Sequence, residues 1–114
     1  MSDVLRLEAS KLEAFIARAF EAVDVPPSDA RTIAELMTRA DVNGSDGHGV
    51  FRLPQYIRRI KGGAVNVRPV IRIERESAAS VLVNGDNGMG HLVMHYATQQ
   101  VIESDPTFIE RVVE

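Results

Sequence analysis

The stretch Asp46-Gly47-His48-Gly49-Val50-Phe51-Arg52-Leu53-Pro54-Gln55-Tyr56 brings an imidazole, a guanidinium and a phenol within eleven positions. A helix beginning near Gly49 would put Arg52 and Tyr56 four apart on one face. His48 would then lie at its glycine-flanked N-terminal edge, where backbone N–H groups have no partner within the helix. That arrangement suits gripping a small carboxylate and moving a proton beside it. Arginine offers a planar fork that meets a carboxylate at two points, and histidine titrates nearest neutrality. A histidine between two glycines is also a common turn residue, so on residue types alone both readings stand.

Outward from this stretch, Val50, Leu53, Ile57 and Ile60 recur at helical spacing, with Pro54 tolerable near a first turn and Gly62-Gly63 closing the helix. The opposite face carries Arg52, Tyr56 and Arg59. Upstream, Leu12, Phe15, Ile16, Ala19, Phe20 and Val23 predict an amphipathic helix over 10–23, with Ser10 and Glu13 in a capping-box pattern. Pro26-Pro27 should end it and Ser28 should cap the next helix. That second helix shows Ile33, Met37 and Ala40 on one face and stops at Gly44. The alternating Val4-Leu5-Arg6-Leu7 ahead of both reads as a short strand.

Downstream the period changes. Val70 to Glu76 alternates apolar with charged residues and Ser80 to Val83 is a β-favouring run, which predicts two strands joined through 77–79, in the manner of a hairpin. After the glycine-rich Asn84-Gly85-Asp86-Asn87-Gly88-Met89-Gly90, the residues Leu92, Val93, Tyr96, Ala97 and Val101 mark a fourth helix that fades past Glu103.

Composition sets the outer limits. A chain of 114 residues forms one domain at most and is small for an enzyme that must also enclose a dinucleotide. An apolar fraction of 45% and a charged fraction of 25% are those of an ordinary globular protein. With no cysteine there is no disulfide framework, thiolate nucleophile or cysteine-held metal. No apolar run approaches a membrane span and the first residues lack a signal-peptide core, so a cytoplasmic protein without a membrane partner is expected. The net charge of −3 hides a basic stretch: Arg52, Arg58, Arg59, Lys61, Arg68, Arg72 and Arg75 meet only one acid, Glu74. Such a stretch can mark an anionic ligand or nucleic acid. Tyr56 is the sole aromatic residue in it and no nucleic-acid-binding signature accompanies it, which favours solvated helix and strand faces.

Three further patterns bear on ligand binding. Gly85, Gly88 and Gly90 stand between a strand and a helix, where bare N–H groups can hold a phosphate or carboxylate. Their order, G-x-x-G-x-G, is the reverse of the dinucleotide fingerprint, so a Rossmann site is not supported and a plain glycine turn competes with an anion cradle. Asp41, Asn43 and Ser45 imitate the start of a calcium loop, but glycine falls at the fourth position instead of the sixth and Arg52 replaces the bidentate glutamate. His91 and His95 have the spacing of a metal pair without a third ligand or a catalytic glutamate, so no metal is expected.

Taken in order, Arg39 to Gly63, then Asn66-Val67-Arg68-Pro69, then Val83 to His91, the chain resembles the malate/L-lactate dehydrogenase family that lacks a Rossmann fold. Sulfolactate and ureidoglycolate dehydrogenases and cyclic imino-acid reductases also belong to that family. The resemblance spans about residues 4 to 103 and covers the N-terminal third of the family, with three motifs in register. It implies that His48 matches the histidine of the family's Asp-Ser-His-Gly motif, beside the substrate in an acid/base or polarising role. Arg52 and Tyr56 match the arginine and tyrosine facing the same site. Gly47 stands where most members have serine, which removes a hydroxyl.

The resemblance implies an α+β fold, an N-terminal helical bundle with a small β element. Residues 1–103 would form the substrate and dimerisation region of a dehydrogenase, and 104–114 a divergent tail. It also implies hydride transfer between NAD or NADP and a small 2-hydroxy acid such as malate or lactate, in a homodimer. Members are roughly three times longer, as an enzyme with a separate cofactor domain requires. Most cofactor contacts and a second active-site histidine would therefore fall beyond residue 114, and the isolated chain is expected to be inactive. The alternatives are a truncated, non-enzymatic remnant or dimerisation module and, more weakly, a small anion-binding protein.

Overall fold

A computed structural model describes residues 8–77 and 80–104. The strand expected at Val4-Leu5-Arg6-Leu7, the middle of the hairpin connection and the divergent tail past Ser104 lie outside the described residues. Among the described residues there are four α-helices and a two-stranded antiparallel sheet, in the order α1 (Ala9–Glu21), α2 (Pro27–Val42), α3 (Leu53–Lys61), β1 (Arg72–Glu76), β2 (Val81–Asn84) and α4 (Gly90–Ser104). The chain divides into two compact units, residues 1–64 and 65–114.

In the first unit α1 and α2 pack along their lengths and α3 touches α1. The i, i+4 spacing of Ile16 with Phe20, and of Ile33 with Met37, places each pair on one side of its helix. All four side chains are fully buried. Ala30 and Ala34, also fully buried, present little bulk on the same face of α2 and allow a close approach.

The helix starts differ from the expected ones. α1 begins at Ala9 behind an extended Glu8, whose backbone carbonyl accepts the N–H groups of Lys11 (3.0 Å) and Leu12 (3.1 Å). Ser10 is thus inside the first turn and forms no capping box, and no side chain caps this helix. α2 begins at Pro27 behind Pro26, so Ser28 is not its cap. Proline at the first helical position sacrifices an N–H that would have had no partner in any case.

The three helix ends share one device. Asp24, Gly44 and Gly63 adopt positive φ (72°, 80° and 80°). In each case the following N–H reaches back to a carbonyl five residues earlier: Val25 to Phe20 (3.1 Å), Ser45 to Ala40 (2.8 Å) and Ala64 to Arg59 (3.0 Å). This is the left-handed cap with its 6→1 bond, which satisfies carbonyls that the helix leaves open. The first helix therefore ends at Glu21, ahead of the left-handed Asp24 and of the prolines, and Pro26-Pro27 opens the next helix instead.

In the second unit β1 and β2 pair antiparallel, with Arg72 opposite Asn84 and Glu76 opposite Val81 and a break in register between Ile73 and Arg75. Glu74 is the extra residue at this bulge, and its carboxylate accepts from Asn84 Nδ2 (2.7 Å) and Arg72 Nε (3.3 Å). Val70 does not join the ladder because its N–H donates to Asp86 Oδ2 (2.9 Å). Asp86 and Asn87 both have positive φ, and Gly88 N–H closes the turn on the Gly85 carbonyl at 2.9 Å. Asn66 Nδ2 donates to the backbone carbonyl (3.1 Å) and the carboxylate (3.0 Å) of Asp86, which clamps the glycine turn to the 66–70 segment.

Candidate active site

Between α2 and α3 the chain makes two short 3-10 turns, Asp46–His48 and Val50–Arg52, and both lie against α2. The helix expected from Gly49 begins only at Leu53, with Pro54 in its first turn. The reason lies in Gly49 and Val50, which are held by a side chain of the preceding helix. Val50 N–H donates to Asp41 Oδ2 (2.8 Å), and Gly49, itself buried, lies so close to that carboxylate that a Cβ would collide with it.

His48 is exposed on the first turn, its backbone N–H bonded to the Ser45 carbonyl at 2.9 Å. Arg52 closes the second turn twice. Its N–H donates to the Gly49 carbonyl (3.0 Å), and its Nε reaches back past His48 to the Gly47 carbonyl (2.9 Å). Nη1 donates to Gln55 Oε1 at 2.9 Å. Of the five N–H donors of a guanidinium, these two bonds leave the second hydrogen of Nη1 and both hydrogens of Nη2, which form the end of the fork that grips a carboxylate. Tyr56, half-buried, lies one turn further on in α3.

His48 and Arg52 are thus parts of one clasped loop. The structure adds two groups that sequence reading passed over. Gln55 orients the guanidinium, and Asp41, whose sequence spacing suggests only a calcium ligand, holds the loop itself. The bare Gly49 beside His48 was the one available hint of a close approach.

The glycine turn at 85–90 does not fit a dinucleotide cradle. Two of its three glycines are packed from within the chain, since a Cβ on Gly85 would meet Val93 at 2.7 Å and one on Gly88 would meet Pro69 at 2.7 Å, while the space beside Gly90 is open. The N–H groups of Asp86 and Gly88 are taken by Asn84 Oδ1 (2.8 Å) and the Gly85 carbonyl (2.9 Å). Among the described residues no three His, Asp or Glu side chains gather as a metal site, and no helix is long and apolar enough to cross a membrane.

The family model for malate/L-lactate dehydrogenases matches residues 7–107. Malate dehydrogenase of Pyrococcus horikoshii is 35% identical over 99 residues, 87% of this chain and 28% of that protein. Its solved structure superimposes with a TM-score of 0.82 over 87% of this chain. L-sulfolactate dehydrogenase of Methanocaldococcus jannaschii is 39% identical over 79 residues, 69% of this chain and 23% of that protein. With its clasped histidine–arginine loop and this fold, the chain belongs to the malate/L-lactate dehydrogenase family. It spans about 28% of the length of the first of these relatives.

Proposed function

We propose that this chain is the substrate-binding portion of an oxidoreductase acting on a small 2-hydroxy acid or the corresponding 2-oxo acid, such as malate or lactate. The observation that carries this is the bond from Arg52 Nε to the Gly47 carbonyl, which holds a carboxylate-binding fork and an exposed imidazole in a single loop. Arg52 binds the substrate carboxylate through its open Nη end, Gln55 keeps the fork in plane, and Tyr56 lines the same side one helical turn away. His48 takes the proton from the 2-hydroxyl during oxidation and returns it during reduction. NAD or NADP supplies the hydride acceptor in a complete enzyme. The role assigned to His48, Arg52, Gln55 and Tyr56 is binding and proton handling.

Oxalate, a planar and unreactive stand-in for such acids, tests the assignment. Titrated into the 114-residue chain, it should shift the Arg52 Nε–H and His48 ring signals in NMR spectra saturably. Absence of any saturable shift overturns the proposal.

A homodimer and a cytoplasmic site of action belong to the same proposal. Support for self-association comes from large apolar side chains left open to water: Phe15 on α1, and Met94 and Ile102 on α4. Sedimentation over a range of concentrations should show association, and a monomer throughout counts against it.

A further inference from the structure

We propose that Asp41 is a positioning residue of this site, resting on the functional reading above: its carboxylate, bonded to the Val50 N–H, sets the bend that holds His48 and Arg52 in one loop. Three observations lead there. Val50 N–H donates to Asp41 Oδ2 at 2.8 Å in a half-buried setting, nine residues along the chain. Gly49 packs its bare Cα against the same carboxylate, which leaves no space for a side chain between His48 and Val50. The turn so fixed then closes on itself through Arg52 N–H to the Gly49 carbonyl (3.0 Å) and Arg52 Nε to the Gly47 carbonyl (2.9 Å).

The end of α2 is itself fixed by the Gly44 cap, in which the Asp41 carbonyl accepts the Gly44 N–H at 3.1 Å, so the backbone that carries the carboxylate is held on both sides. An ionised carboxylate accepting a backbone N–H makes a stronger bond than a neutral acceptor does. Without it, the Val50 N–H loses its partner and Gly49 becomes free to sample many conformations. The histidine and the arginine on either side then lose their common frame, and misplacement of about 1 Å in such a site is costly.

The test compares Asp41→Ala, Asp41→Asn and Gly49→Ala in the full 114-residue chain. The readouts are the Arg52 Nε–H signal, oxalate affinity and the melting temperature. Gly49→Ala keeps the carboxylate but drives it off Val50, so it should reproduce the effect of Asp41→Ala, and the double substitution should be no worse than either alone. Asp41→Ala should weaken oxalate binding by about tenfold or more and move the Arg52 Nε–H signal, with Asp41→Asn in between because its amide oxygen still accepts. A cap serving stability alone would lower melting and leave the affinity of the folded chain untouched. An affinity within about twofold of the unsubstituted chain overturns the assignment, as does an unchanged Arg52 Nε–H signal. Should Asp41→Ala fail to fold, Asp41→Asn and Gly49→Ala decide by the same criteria. If the unsubstituted chain shows no response to oxalate, the functional reading falls. Asp41 is then judged on the Arg52 Nε–H signal alone, whose movement supports positioning and whose constancy refutes it.

Discussion

Asp41 Oδ2 accepts the Val50 N–H at 2.8 Å while the Cα of Gly49 lies against the same carboxylate. One side chain near the end of α2 thereby dictates the backbone of the loop that carries His48. Gly49→Ala should accordingly destabilise the chain by about 1–3 kcal/mol, the usual range for overfilling a packed site. Chemical denaturation of the two chains side by side measures it, and an unchanged midpoint would mean that the carboxylate moves aside freely.

Gly47 is the opposite case, although only two residues away. It is exposed, has no positive φ, and a Cβ there would meet nothing within 4 Å. Gly47→Ser should leave stability within about 0.5 kcal/mol, as for an unconstrained surface position. If a hydroxyl at this position contributes to binding, oxalate affinity should rise. A lowered affinity would show that the glycine suits this particular site.

In a chimera that joins this chain to the remaining length of a full-length relative, His48→Ala should reduce kcat by about 10²- to 10⁴-fold with little change in melting, as expected for a positioned acid/base. Arg52→Lys should raise KM, because lysine keeps the charge and loses the fork. It should also lower kcat, since lysine has no Nε–H to hold the Gly47 carbonyl. A kcat for His48→Ala within about twofold of the parent makes His48 a turn residue and moves the acid/base role elsewhere.

The 114-residue chain on its own should not oxidise malate or lactate with NAD or NADP. It spans only 28% of the first relative, and Gly85 and Gly88 of its glycine turn are packed against Val93 and Pro69. Turnover above a heat-killed control that survives repurification would contradict this.

The hairpin should be sensitive to acid through Glu74. Hydrogen bonds from Asn84 and Arg72, with the charge of Arg72, hold this carboxyl below its ordinary value. A carboxyl depressed in the folded state stabilises fully above its unfolded pKa, and that contribution is lost as pH falls through the lower folded value. Asn84→Ala removes the largest cause and should raise the Glu74 titration midpoint towards the ordinary glutamate value. NMR titration of the carboxyl carbon tests this, and an unmoved midpoint would assign the shift to Arg72.

Much of the architecture is legible from residue order. Apolar side chains of α1 and α2 recur every three or four residues, and a helix with one oily face has to bury it against another such face. Period-two runs and the turn residues between β1 and α4 announce the hairpin in the same way. The histidine–arginine–tyrosine motif and its family are readable as well, because they depend on order along the chain.

Helix starts are less legible in the sequence. Ser10 and Ser28 carry the capping chemistry, yet Glu8 and Pro26 occupy the cap positions. A cap is a local preference of about 1 kcal/mol, which the packing of a whole helix readily outweighs.

What only the tertiary structure decided are the bonds between residues far apart in sequence. Asp41 reads as a stray acid until α2 brings it to Val50, and Asp86 reads as a turn residue until Asn66 and Val70, 20 and 16 positions away, close on it. Periodicity reports which face of an element avoids water. It carries no record of which polar group meets which across a loop, because that depends on the directions in which packed helices deliver the chain.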